Sequence, residues 1–172
     1  MSFAGHDKGF TKEVFSASKP AQLHQGNWTD DSHFVKALTS SWQFQYAQYI
    51  GDVAAARYAA RLIKQGRMYA HFEPLTLLAC IDGQNVGIAA LRALDGVHLV
   101  TMLEVLEEYR GKAIGAQLLQ ALCTIRGPVM AHVSIHQPRV KAFYVSQGFH
   151  VLQRETVQHD EYLLEFDVVA KR

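Results

Sequence analysis

The sequence predicts an α+β fold: a mixed, mostly antiparallel sheet flanked by helices on both faces. Three observations lead there. Helix-patterned residues occupy the stretch from His33 to Gly66. Two Asp-Gly pairs, Asp82-Gly83 and Asp95-Gly96, then separate three β-rich runs and mark tight hairpins. Finally, a strand–helix–strand unit from His98 to Ile135 must join its two strands in parallel and with a right-handed crossover.

The elements come in order. Residues 1–11 read as a loose N-terminal end, and "TKEVFSA", beginning at Thr11, as a short first strand. "KPAQLHQGNWTDDS" is rich in turn formers and yields no assigned element. "HFVKALTSSWQFQYAQYI" carries Phe34, Val35, Leu38, Trp42, Tyr46, Tyr49 and Ile50 at near-helical spacing, so it is one helix or two broken pieces. Gly51-Asp52 breaks the pattern, and Asp52 can cap the next helix. "VAAARYAARLIKQG" is that Ala-rich helix, with Gly66 as its expected stop. "LTLLACI", "VGIAALRAL" and "VHLVTMLEV" are the three hairpin-linked strands. "KAIGAQLLQALCTIR" is a helix ending near Gly127-Pro128, and "VMAHVSI" is a strand. "PRVKAFYVSQ" is a helix, with Pro138 in its first turn and Gly148 past its end. "FHVLQRE" and "YLLEFDVV" close the chain as a hairpin, and residues 1–172 read as one domain.

Composition bounds the function. The 172 residues are 49% apolar and 19% charged, enough for one folded core. A net charge of +1 gives no support to a nucleic-acid or membrane-surface protein. Cys80 and Cys123 lie in apolar runs and read as buried, reduced thiols. The first ten residues lack a signal-peptide pattern and no apolar run approaches a membrane span, which makes the cytoplasm the expected location.

The stretch "LEEYRGKAIGAQLL" joins the end of a strand to the start of a helix. The free N–H groups of a first helical turn, with the positive end of the helix dipole, make an anion site. Gly111 and Gly115 allow close approach, and Arg110 and Lys112 add positive charge. A plain strand–helix turn has the same spacing, so the pattern alone leaves both readings open. The patterns of a P-loop and of a dinucleotide-binding fold are absent.

"LEVLEEYRGKAIGAQLL" resembles the acetyl-CoA site of the GNAT superfamily of N-acetyltransferases, with pattern Gln/Arg-x-x-Gly-x-Gly/Ala. Arg110 fills the first position and Gly115 the last, and Ala113 replaces the middle glycine. "AFYVSQGF", from Ala142 to Phe149, resembles the family's later helix-to-strand segment. The resemblance covers about residues 75–169 and implies an acyl-CoA N-acyltransferase-like fold with acetyl-CoA as acetyl donor. It implies that the backbone from Arg110 through Gly111, Lys112, Ala113, Ile114 and Gly115 to Ala116 binds pyrophosphate. It places pantetheine along Leu103 and Val105, with the Leu103 amide polarising the acetyl carbonyl. It assigns Tyr144 to protonate the leaving thiolate. Phe143 belongs to the same motif, and Gln137 stands where an asparagine often touches pantetheine. Alanine at position 113 is expected to be tolerated, as an early helical residue with ordinary backbone angles.

The amine must also lose a proton. Along "VMAHVSI", Val129, Ala131, Val133 and Ile135 share the core face, and Met130, His132, Ser134 and His136 the other. His132 is the first candidate base, at a position where some family members carry glutamate; Glu104 is the second and His98 the third, the last two expected on one face of their strand. Ordered water is a further alternative. His132 and His136 lie roughly 13 Å apart on a regular strand, too far to share an ion, so no metal is expected. Trp42, Phe44, Tyr46 and Tyr49 are the candidate aromatic wall for the acceptor. That acceptor is an amine on a small molecule or peptide; a homodimer is compatible with the resemblance. The competing expectation is a non-catalytic acyl-CoA-binding or sensor domain of the same fold.

Overall fold

The computed structural model describes residues 19–69, 75–159 and 162–171. The loose end and the "TKEVFSA" strand lie outside the described residues. Among the described residues, seven strands form one sheet: β1 (Gln22–Gln25), β2 (Leu75–Ile81), β3 (Gln84–Leu94), β4 (Val97–Val105), β5 (Val129–Ser134), β6 (His150–His159) and β7 (Tyr162–Lys171). Their order is β1-β2-β3-β4-β5-β7-β6. The β4–β5 pair is parallel, and the other neighbours run antiparallel. This is the expected mixed sheet.

Among the described residues, four α-helices cover it: α1 (Ser32–Ile50), α2 (Asp52–Tyr69), α3 (Ile114–Leu122) and α4 (Pro138–Ser146). α1 is one continuous helix. Asp31 caps it by accepting from the Phe34 N–H at 2.9 Å. Thr39 does not break it, because its hydroxyl bonds back to the Val35 carbonyl at 2.8 Å. Phe34, Leu38 and Trp42, one helical turn apart, are buried against the sheet with Trp28, Leu78, Ile88 and Leu106. On the other face, Ile114, Leu118, Leu119 and Leu122 of α3 pack with Tyr144, Phe149 and the inward residues of β2 to β5. α3 is shorter than expected: it starts at Ile114 rather than Lys112, and residues 123–127 form a turn and a bend instead. Among the described residues, no helix is long and apolar enough to cross a membrane. Cys80 and Cys123 are free thiols and half-buried rather than buried.

One unassigned stretch forms a strand, and one local expectation fails, each for a physical reason. β1 lies in the stretch that gave no sequence signal: it is polar (Gln22, His24 and Gln25) and pairs with β2 at the sheet edge through backbone bonds. Gly66 does not stop α2, which continues to Tyr69. Its role is close approach, since a Cβ there would lie 2.1 Å from the buried Trp28 ring. Gly66→Ala is therefore expected to destabilise the chain by about 1–3 kcal/mol, measurable by chemical denaturation.

The hairpin turns form as expected. Asp82 and Gly83 have φ of 50° and 80°, and Asp95 and Gly96 have 47° and 83°, the left-handed pair that a two-residue turn requires.

Candidate active site

The sheet opens where its parallel pair fails. β4 and β5 are in register only at His98–Val129, Leu99–Met130 and Val100–Ala131. Beyond that point, residues 102–105 pair with β3 and residues 132–134 with β7. The two strands part and leave a gap in the middle of the sheet. Thr101 starts the parting, because Ala90 faces Met102 while Leu91 faces Val100, so Thr101 is an extra residue on β4. Its hydroxyl reaches the Ala90 carbonyl at 3.3 Å.

This bulge resets which side chains share a face. Val100 packs in the α3 core together with Leu103 and Val105, and Met102 turns to the α1 side. His98 precedes the bulge, so it does not share the Glu104 face as a regular strand would require. It sits beside the turn after α3, near Gly127.

The backbone of β4 offers hydrogen-bonding groups to the gap. The Leu106 N–H donates to the Val86 carbonyl at 2.9 Å. By alternation, Glu104 and Met102 turn their amides toward β3, and Leu103 and Val105 turn theirs toward the open side. The Arg110 Nε–H donates to the Val105 carbonyl at 2.9 Å. That leaves the Leu103 N–H and C=O and the Val105 N–H facing the gap.

The loop after β4 builds the second part of the site. Glu107–Tyr109 forms a short turn, Gly111 has φ 77°, and α3 begins at Ile114. The first amide bonded at this end is that of Gln117, to the Ala113 carbonyl at 3.0 Å. The amides of Ala113, Ile114, Gly115 and Ala116 therefore have no acceptor within the helix and carry its positive dipole end. Buried Ile114 anchors the turn in the core. An added Cβ at Gly115 would meet Phe143 at 3.7 Å and Val105 at 3.8 Å. Phe143 thus supports the loop from behind, and the Lys112 ammonium rests 5.0 Å over the Tyr109 ring.

Ala113 departs from the sequence expectation. It is not an ordinary helical residue: its φ of 59° and ψ of 8° are left-handed, just before the helix starts. Such angles cost an alanine about 1–2 kcal/mol that glycine avoids. Ala113→Gly is expected to raise stability by up to about 1 kcal/mol, after the extra unfolded-state freedom of glycine is subtracted. Thermal unfolding checks this, with a rise of roughly 2–4 °C per kcal/mol for a chain of this size.

A cavity of about 410 Å³ lies where the strands part, lined by α1, α2, β3, β4, β5, α4 and, through Val157, β6. Tyr144, Glu104, His132, Gln137 and Leu103 all line it. Tyr144 is 5% exposed, held edge-on between Phe143 and Phe149 at 5.7 and 5.1 Å between ring centres. Burial pushes its phenol pKa up, and the nearby Glu104 charge adds to that. It remains a protonated donor at neutral pH. Burial likewise raises the Glu104 carboxyl above the usual range; the Trp42 indole and the Arg110 charge oppose this. The Trp42 Nε1–H donates to Glu104 Oε1 at 3.0 Å, which fixes the carboxylate.

His132 lies on the face of β5 opposite Val129, Ala131 and Val133, and is itself exposed while Ser134 on the same face is buried. Its Nε2 is 3.1 Å from Glu155 Oε2, which holds the imidazole toward the rim. Gln137 donates from Nε2 to Gln45 Oε1 at 3.0 Å. Of the proposed aromatic wall, Trp42 and Tyr46 line the cavity. Phe44 is 80% exposed and points away from it. Tyr49 instead stacks on His136 at 4.5 Å and donates to its carbonyl.

The sequence reading missed Tyr58, which lines the cavity from α2 and packs its ring 4.6 Å from that of Tyr46. The signal was present: Tyr58 is the lone aromatic in an Ala-rich helical run. Also missed was Arg92, which lines the cavity from β3. Among the described residues, no three His, Cys, Asp or Glu side chains converge as for a metal ion.

Residues 73–151 match the family model described as an acetyltransferase (GNAT) domain. No curated protein matches the chain. Similar solved structures include a GCN5-related N-acetyltransferase from Rhodopseudomonas palustris, with TM-score 0.72 and 20% identity over 90% of this chain and 97% of that one. The PaiA N-acetyltransferase from Thermoplasma acidophilum, solved in complex with coenzyme A, gives TM-score 0.70 and 17% identity over 90% and 99%. A GNAT acetyltransferase from Elizabethkingia anophelis, with acetyl-CoA bound, gives 0.53 and 14% over 62% and 80%.

Proposed function

We propose that this protein, whose residues 73–151 match the acetyltransferase (GNAT) domain model and whose fold resembles that of a GCN5-related N-acetyltransferase, transfers an acetyl group from acetyl-CoA to a primary amine by direct attack. The parting of β4 and β5 carries the reading. It leaves the Leu103 N–H and C=O and the Val105 N–H open at one side of a cavity that also holds a buried phenol and a carboxylate.

In this reading the pyrophosphate rests on the amides from Gly111 to Ala116, at the positive end of α3; the Arg110 amide, expected to join them, donates instead to the Glu107 carbonyl at 3.1 Å. Arg110 supports that loop by tying it to the end of β4, and Lys112 adds charge. Pantetheine takes the place of a strand in the gap, paired with Leu103 and Val105, with Gln137 on its other side. The Leu103 N–H polarises the acetyl carbonyl and receives the oxyanion. The amine nitrogen lone pair forms the new C–N bond, and its proton passes to the base. The tetrahedral intermediate collapses by breaking the C–S bond. The thiolate takes the Tyr144 proton and leaves as free CoA.

For the base we place Glu104 ahead of His132, reversing the order the sequence suggested. Glu104 sits inside the cavity, fixed by Trp42, with a raised affinity for protons. His132 is held to Glu155 at the rim. Trp42, Tyr46 and Tyr58 form the acceptor wall. Isothermal titration with acetyl-CoA tests the cofactor half: one-to-one binding is expected, and no binding at millimolar acetyl-CoA overturns the reading.

A further inference from the structure

α1 presents two adjacent stripes at four-residue spacing. Leu38, Trp42 and Tyr46 face the core and cavity. Ser41, Gln45 and Tyr49 form a polar seam beside them. Gln45 stands at its centre and works in both directions: its Nε2 donates to Ser41 Oγ at 3.0 Å, and its Oε1 accepts from Gln137 Nε2 at 3.0 Å. Ser41 Oγ also lies 3.4 Å from the Arg110 guanidinium Nη2. The seam thus runs from the loop after β4, along α1, to the junction of β5 and α4. Those two ends flank the gap.

We propose that Gln45 is a positioning residue for the cofactor: it holds Gln137, and through Ser41 it holds Arg110, at the spacing that acetyl-CoA requires. The proposal rests on the acetyltransferase reading above. An amide is the one uncharged side chain of this length that donates to Ser41 and accepts from Gln137 at once. With Gln137 Nε2 held by Gln45, Gln137 Oε1 is the amide group left to accept from a pantetheine amide. Gln45 itself is not among the residues lining that cavity, so its effect passes through Gln137 and Arg110.

The test is a double-mutant cycle on the full chain, read by isothermal titration with acetyl-CoA. Gln45→Leu and Gln137→Leu are each expected to raise Kd about fivefold to tenfold, the effect of one lost hydrogen bond. The double variant is expected to bind at most about two- to threefold more weakly than Gln137→Leu, the share of the Arg110 arm, and not by the product of the two single effects. Ser41→Ala, a milder change on the Arg110 arm, is expected to raise Kd about two- to threefold. At saturating acetyl-CoA, Gln45→Leu should keep kcat while KM for acetyl-CoA rises. Unchanged Kd in Gln45→Leu, or effects that add in the double variant, overturns the proposal while wild-type binding keeps the acetyltransferase reading intact. A wild-type chain that does not bind acetyl-CoA overturns that reading, and this inference with it.

Discussion

Tyr144→Phe is expected to lower kcat for acetyl transfer by roughly 10²-fold or more, with little change in KM for acetyl-CoA. The ring is placed by Phe143 and Phe149, and phenylalanine keeps that packing. Only the hydroxyl is lost, and with it the proton for the departing thiolate. Among the described residues lining the cavity, Tyr46 and Tyr58 also carry phenols, but they pair with each other on the acceptor side. Steady-state kinetics with a reactive amine checks this, alongside thermal unfolding to show an intact fold. Turnover equal to wild type removes Tyr144 from the acid role.

Glu104→Gln is expected to lower kcat by roughly 10²-fold and to flatten the acid limb of its pH profile. The substituted amide still accepts from the Trp42 indole through its carbonyl oxygen, so the site geometry is kept. Burial raises the wild-type carboxyl pKa, so activity should climb as pH rises through that raised value and then level off. The sign for stability is opposite. A raised folded pKa means that folding favours the protonated acid. Its stabilising contribution is full below the unfolded pKa and is lost as pH rises through the folded one. Glu104→Gln has no such loss. Its Tm should therefore gain on wild type as pH rises from the unfolded glutamate value, about 4.3, through the raised folded one. If the pH profile and the Tm difference are both unaltered, Glu104 is not the titrating base, and His132→Gln becomes the variant to measure.

The sequence was legible wherever local chemistry decides the structure. The Asp82-Gly83 and Asp95-Gly96 turns, the α1 stripe and the alternation along β5 are all one-dimensional signals. The strand pattern of "VHLVTMLEV" and the helix pattern of "PRVKAFYVSQ" placed Leu103 and Tyr144 on the right elements, and the resemblance singled them out together with the loop at 110–116. The features that stayed hidden depend on contacts between distant segments. Gly66 looks like a helix stop until Trp28, 38 residues away in sequence, is seen against it. The Thr101 bulge has no residue signature, yet it separates His98 from Glu104 and opens the gap. Ala113 reads as an ordinary first-turn residue, because a positive φ is invisible without the fold. The polar seam of α1 joins Ser41 to a loop 69 positions later and Gln45 to a junction 92 positions later, far beyond any local pattern.

Release of free CoA thiol, measured while both acetyl-CoA and a primary amine are varied, tests the central claim most directly. Direct transfer predicts thiol release that requires the amine, with initial-rate plots that intersect, because both substrates occupy the gap together. Saturable acetyl-CoA binding with no amine-dependent thiol release, across a panel of small amines and peptides, would contradict it and leave a CoA-binding module of the same fold.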